Sequence, residues 1–544
     1  MTRKIARTLV ALRRFRRRTL RLGPARVWAA AVVIGALTAY GVIAFRAGID
    51  FFSILAFGAT EEGVASGARS LPFLRAWAAP VVGGLIVSAL LYFADRYNWL
   101  PEGRGQGVAE VIEARSVRDG KISLRTGLAA ATVSMVSLGA GGSAGREGPA
   151  VHIGGTFASL IDQRFGFTAK DRRTLLGCGA AAAVSASFNA PLAGVLFALE
   201  VVLGNYALSV FGPIAAASAV SAIITRFHLG DFPAFAAPNY GAATSIDVPL
   251  SALLGVLCGL VASFFLLCTE QLTERVRLFA QTRKFSIIFL PPLAGVIVGF
   301  IGAFHPEIFG VGYEGVTLAL NGRYTIYTLV TLLVLKVAAT AVTVSCRFGG
   351  GVFSPGLVIG VFAGAAYGAA LGLVLPGATA SATYYAMIGM GAAGGAIIGA
   401  PISTTLVVFE LTGDYTMTIS LMVAVALATL ITQALAGKSF FHWQLSRRGY
   451  DVSEGPQGMI LKTIRVRDVM DRMPQNAPLA KDAERLELQQ SLGEALAQLD
   501  NLEEAGLPVV DRGEPEKVLG YLSKIKALAA YNRALIESHV EHHT

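Results

Sequence analysis

Gly145-Arg146-Glu147-Gly148-Pro149 and, 206 residues further on, Gly351-Val352-Phe353-Ser354-Pro355 are corresponding points of a chain that carries one set of landmarks twice. The first copy reads Pro101-Glu102, Gly105-Gln106-Gly107, Gly148-Pro149, Ala190-Pro191, Glu200. The second reads Pro306-Glu307, Gly310-Val311-Gly312, Ser354-Pro355, Ala400-Pro401, Glu410. The displacements are 205 for Pro101, 206 for Pro149 and 210 for both Pro191 and Glu200. Glycine and proline are common in membrane helices, but common residues do not keep order and spacing by themselves. In a membrane chain, repeats of this kind meet around a binding region near the bilayer midplane.

A membrane body is what the composition requires. Apolar residues make up 54% of the 544, charged residues 15%, and the mean hydropathy is +0.58. Residues 27–45, 76–94, 248–268, 285–304 and 420–436 contain no charge, and each approaches or reaches the length that crosses about 30 Å of hydrocarbon. Residues 327–345 are similar but contain Lys336, a candidate for anion contact, against the plainer readings of snorkelling or pairing within the protein. Segments 105–116, 147–162, 190–202, 354–372 and 400–412 read as short helices broken by glycine or proline, which can end at mid-membrane.

The formal net charge is +10, and it is uneven. Residues 3–26 are rich in arginine and hold no acid. Beside a span they read as a cytoplasmic, lipid-facing basic helix and not as a nucleic-acid arm. The basic run is also too long for a cleaved signal peptide. Cys178, Cys258, Cys268 and Cys346 lie in apolar stretches without CxxC spacing, so they read as free thiols, with neither a metal site nor a disulfide framework.

The expected domains are 1–26, a basic lead-in; 27–445, the membrane body, with repeats at about 76–225 and 285–436; 446–464, a polar linker; 465–535, a small α/β unit; and 536–544, a tail. In the small unit, helix 491–502 and strands 507–511 and 518–523 are expected. Both termini are placed in the cytoplasm, and the lack of targeting segments points to a bacterial inner membrane.

The motifs suit anions. A helix start exposes up to four unpaired N–H groups and about half a positive charge. It can hold an anion without a fixed cation that would slow release. Glycine lets the backbone approach, and proline in the first turn costs no hydrogen bond. Glu147 at such a start competes with a permeant anion for the same N–H groups. It therefore reads as a tethered gate, against the plainer readings of an acidic cap or a partner of Arg146.

On these residues the chain resembles the CLC family of chloride channels and proton-coupled chloride antiporters. Gly145 to Pro149 matches its GREGP motif in full, Gly351 to Pro355 matches GxFxP, and Ser187-Phe188-Asn189-Ala190-Pro191-Leu192-Ala193-Gly194 is family-like. The tail resembles a CBS domain. The resemblance implies an all-α polytopic membrane protein with an inverted repeat of many tilted, broken helices, forming a homodimer with one pore per subunit. It implies Glu147 as the gate, and anion contacts from Gln106, Gly107, Arg146, Gly148, Val352, Phe353 and Phe441.

Three departures bear on mechanism. Gln106 stands where the family commonly has serine, and Phe441 stands where it has an inner tyrosine. Val201 follows Glu200 where many antiporters have a second glutamate that relays protons. Glu147 and Glu200 remain the candidate proton path, although the repeat partner Glu410 suggests a structural task for Glu200. Channel-like conduction of chloride or another small monovalent anion is therefore expected ahead of proton-coupled antiport. An anion-sensing receptor signalling through the tail is the rival from another class. In the tail, Ser523-Lys524-Ile525-Lys526 has lysine where nucleotide-binding CBS units have aspartate, so no nucleotide is expected there. No cofactor is called for. An enzyme is not expected: the membrane body has no acid pair, Ser–His set or metal cluster, and only His152, His228 and His305 lie in it away from its ends.

Overall fold

A computed structural model describes residues 23–100, 107–118, 120–231, 235, 245–282, 287–450, 464–471, 484–502, 504–511 and 514–543. Gln106, Pro101-Glu102 and the basic segment through residue 22 lie outside them. The chain divides into two compact units, 1–441 and 442–544.

The first unit is helical. In order it contains α1 Gly23–Phe57, α2 Val64–Ser70, α3 Phe73–Arg96, α4 Val108–Val117, α5 Leu124–Gly139, α6 Glu147–Phe165, α7 Ala169–Phe188, α8 Pro191–Phe197, α9 Leu208–Leu229 and α10 Asp247–Thr282. It continues with α11 Leu290–Phe304, α12 Tyr313–Leu320, α13 Ile326–Ser345, α14 Phe353–Val374, α15 Ala382–Ile398, α16 Pro401–Thr412 and α17 Tyr415–Ala436; α18, Phe440–Ser446, begins at its end. Among the described residues seven helices are long and apolar enough to cross a membrane. The starts of α4, α6, α8 and α9 recur at α12, α14, α16 and α17, displaced by 205, 206, 210 and 207 residues. Two segments expected to be short are not. α6 has 19 residues and α14 has 22, because the proline of each motif sits in the first turn, where it starts a helix instead of breaking one. α8 and α16 are short, as expected, and α8 runs on into a π-helical turn at Ala198–Leu203.

Small residues let the helices cross closely. A Cβ at Gly154 would lie 2.1 Å from the Gly179 carbonyl oxygen, and one at Gly360 would lie 2.1 Å from that of Gly389. These are the α6–α7 and α14–α15 crossings, so each repeat is closed by the same glycine pair. Gly360→Ala is expected to force the helices apart and cost about 1–3 kcal/mol, as overpacking does; a lower unfolding midpoint in detergent checks this.

The second unit contains α19 Val466–Val469, β1 Leu486–Glu487, α20 Leu492–Asn501, β2 Gly506–Asp511, β3 Glu514–Ser523 and α21 Lys524–His543. Its sheet has the order β1-β2-β3. β1 pairs parallel to β2 with Leu486 opposite Val509, and β3 pairs antiparallel to β2 with Leu522 opposite Leu507. Leu492, Ala495 and Leu499, at helical spacing, bury one face of α20 with Val509 and Leu522. Ser491 and Glu494 form a capping box at its start. The Ser491 N–H, then its hydroxyl, hold the Glu494 carboxyl below its usual range. That contribution is full above the ordinary glutamate pKa and fades as pH falls through the lowered one. Ser491→Ala is expected to cost this unit about 1 kcal/mol, whereas Glu494→Gln, which removes the titrating group, is expected to flatten its stability between neutral and acid pH, as read by circular dichroism.

Candidate functional site

The two motif loops meet. Gly145 N–H donates to the Gly351 carbonyl at 2.7 Å, and Gly351 N–H donates back to Gly145 at 2.8 Å. A Cβ at Gly148 would lie 3.4 Å from the Gly351 Cα and 3.6 Å from the Gly107 Cα. The three backbones are therefore nearly in contact, and the starts of α4, α6 and α14 converge on one place. Three helix starts pointed together present a positive, hydrogen-bond-donating surface with no cationic side chain required.

Glu147 occupies this place. It is the first residue of α6, yet its carboxylate reaches the start of α14. Oε1 accepts from the Ser354 hydroxyl at 2.5 Å, and Oε2 accepts from the Ser354 N–H at 3.3 Å. Both residues are buried. Gly145 makes room, since a Cβ there would lie 2.8 Å from Glu147 Oε2. The 206-residue displacement pairs Glu147 with Phe353 and Gly148 with Ser354. One repeat thus supplies the acid and the other supplies the donors.

Val352 and Phe353 are buried at the start of α14. The Phe353 ring is held 5.1 Å from that of Phe188 and 5.7 Å from that of Phe197. Phe441 belongs to α18, where its ring lies 6.0 Å from and steeply inclined to Phe440. Arg146 points elsewhere. Its guanidinium pairs with Glu61 at 2.5 Å, lies 4.7 Å from the Tyr313 ring and donates to the Ser187 carbonyl at 3.5 Å. The ion-pair partner of Arg146 is thus Glu61 and not its neighbour Glu147, and what Arg146 brings to the meeting point is backbone.

Glu200 and Glu410 form a reciprocal pair. Glu200 accepts from the N–H groups of Ile402 at 3.0 Å and Ser403 at 2.8 Å, and from the Ser403 hydroxyl. Glu410 accepts from those of Leu192 at 3.0 Å and Ala193 at 2.8 Å. Each repeat's glutamate caps the other repeat's short helix, so both carboxylates are engaged by backbone donors. Lys336 is fully buried, and its ammonium donates to the carbonyls of Ile308 at 3.0 Å and Gly310 at 2.9 Å. It is therefore tied to the second Gly-x-Gly loop.

Sequence reasoning missed Ser354, Glu61 and Tyr313. The repeat register held the signal for Ser354, which stands one place after the counterpart of Glu147, and for Tyr313, which follows directly on Gly312. Nothing in the sequence marked Glu61 as the partner of Arg146.

Residues 83–433 match the voltage gated chloride channel family. The chain belongs to this CLC family, whose members are channels and transporters and not enzymes, and it is an integral membrane protein of the CLC fold. It is 32% identical over 433 residues, 79% of its length and 98% of the relative's, to a putative chloride channel protein, ClcB-like, of Ralstonia nicotianae. It is 30% identical over 427 residues, 77% of its length and 87% of the relative's, to the H(+)/Cl(-) exchange transporter ClcA of Salmonella paratyphi B. The X-ray structure of a slow cyanobacterial Cl-/H+ antiporter superposes with a TM-score of 0.69 at 24% identity, covering 78% of this chain and 98% of that one.

Proposed function

We propose that the chain moves chloride or a similar small monovalent anion across a membrane, with Glu147 as its gate. The observation that carries this is the Glu147 carboxylate on the Ser354 N–H and hydroxyl, where three helix starts converge. A carboxylate fills this place because the place suits an anion. Protonation removes the charge that holds Glu147 there, and a permeant anion then takes the donors. In this reading the backbones of Gly107, Gly148, Val352 and Phe353 bind the anion, Arg146 contributes through its backbone, and Gln106 and Phe441 line the inner end.

Channel-like conduction is the first reading. Val201 supplies no acid, and the capping bonds of Glu200 favour a structural task over proton relay. Antiport is the second reading, favoured by the exchanger among the relatives. The protein works as a homodimer with one pore per subunit in a bacterial inner membrane, with both termini cytoplasmic. The second unit is CBS-like and serves subunit contact; Lys526, paired with Asp471, disfavours a nucleotide there. The test is purified protein in liposomes with fixed chloride and variable pH gradients. A reversal potential set by chloride alone identifies a channel, one that moves with the pH gradient identifies coupling, and no flux leaves the receptor reading.

A further inference from the structure

A small cavity lies behind the start of α6, on the side to which the Arg146 side chain turns. Its walls include Val42 and Arg46 of α1, Arg146 and Ala150 of α6, Ser187 at the end of α7 and Leu229 at the end of α9. Its free volume of about 10 Å³ is room for about one water or one ion of similar size.

The polar groups around it are mostly donors. Arg146 is only 5% exposed and Ser187 only 7%. The Ser187 hydroxyl is buried and has no hydrogen-bond partner among the described residues, an arrangement that costs stability unless something fills it. Arg146 meets Glu61, and Arg46 meets Glu62, while the Glu61 N–H donates to Asp50. None of these three acids lines the cavity. A guanidinium has five N–H donors, so Arg146 keeps donors beyond those spent on Glu61 and the Ser187 carbonyl, and Arg46 beyond the one spent on Glu62. Two guanidinium groups and an unused hydroxyl around a space for one small body call for an acceptor, beside the apolar walls of Val42, Ala150 and Leu229.

We infer that this cavity is a second anion site, for a chloride-sized monovalent anion, outside the path guarded by Glu147. An ion there shares Arg146 with Glu61. It thereby acts on the residue that directly precedes the gate, so its occupancy couples to gating. The site itself stands whether or not the chain conducts; only the coupling rests on the proposed gate.

The test is diffraction from the full-length protein crystallised in bromide, with anomalous differences read at this cavity. A bromide peak between Arg46, Arg146 and the Ser187 hydroxyl is expected. Ser187→Ala should weaken bromide affinity there by about tenfold or more, the effect of losing one hydrogen bond to a charged ligand. Arg46→Met, a change at a side chain 29% exposed, gives a second variant with the same expected loss should the first not fold. An ordered water with no anomalous signal in the wild-type cavity overturns the inference. Bromide along the Glu147 path but none here would sink this site and leave the proposed function intact. Bromide here in a protein without flux would do the reverse.

Discussion

Glu147→Gln is expected to give a protein whose anion flux in liposomes is high at neutral pH and no longer varies with external pH. The carboxylate is held by two donors from one residue, the Ser354 hydroxyl and N–H. Hydrogen bonds to a charged group are roughly twice as strong as neutral ones. A glutamine keeps the shape and one acceptor but loses the charge and offers an N–H₂ to groups that are themselves donors. If this weakens the hold by about 1.4 kcal/mol, the fraction of open gates rises about tenfold. Ser354→Ala separates the two donors. It deletes the hydroxyl and leaves the N–H and the acid in place, so its flux should lie between wild type and Glu147→Gln, with pH dependence retained. Radiolabelled chloride uptake at several pH values reads both variants. A Glu147→Gln protein with wild-type flux and pH response would show that the acid caps α14 and does not gate.

The contrast between Glu147 and Ser354 also shows how far the sequence could be read. Glu147 was legible because an acid inside a Gly-Pro motif at a helix start has little to do there except meet those N–H groups or an anion. Which helix it meets was not legible, because the answer is tertiary: the carboxylate crosses to the other repeat, where the Gly145–Gly351 bridge brings α14 alongside. The ion-pair partner of Arg146 was not legible for the same reason. Its sequence neighbour is an acid, but consecutive residues at a helix start diverge in direction, and Glu61 lies where the guanidinium points. Helix lengths misled at α6 and α14, where proline opens a helix and was read as breaking one. The repeat itself was legible throughout, because it is a matter of spacing, and spacing survives without any knowledge of contacts.

Glu200→Ala and Glu410→Ala are expected to destabilise the protein by about 1–3 kcal/mol each, since each strips two helix-start N–H groups of their partner, one of them part-buried, and a buried donor left unsatisfied costs about 1–3 kcal/mol. The two losses should differ. The 210-residue displacement sets Ser403 against Ala193, so Glu200 has a hydroxyl donor that Glu410 lacks. Glu200→Ala should therefore unfold at lower temperature than Glu410→Ala, and Ser403→Ala should remove most of that difference. Thermal unfolding in detergent measures all three. The same variants bear on proton coupling, because a capping acid and a relaying acid fail differently. In the capping role, Glu200→Gln loses stability, as its N–H₂ faces the Ser403 donors, while the protein that remains folded keeps the wild-type reversal potential at every pH gradient. In the relaying role, the wild-type reversal potential moves with pH and that of Glu200→Gln does not. Backbone bonds from Ile402 and Ser403, together with the mirrored bonds of Glu410, favour the first outcome, because the two acids stand at the same place in the repeat and make the same helix-start bonds.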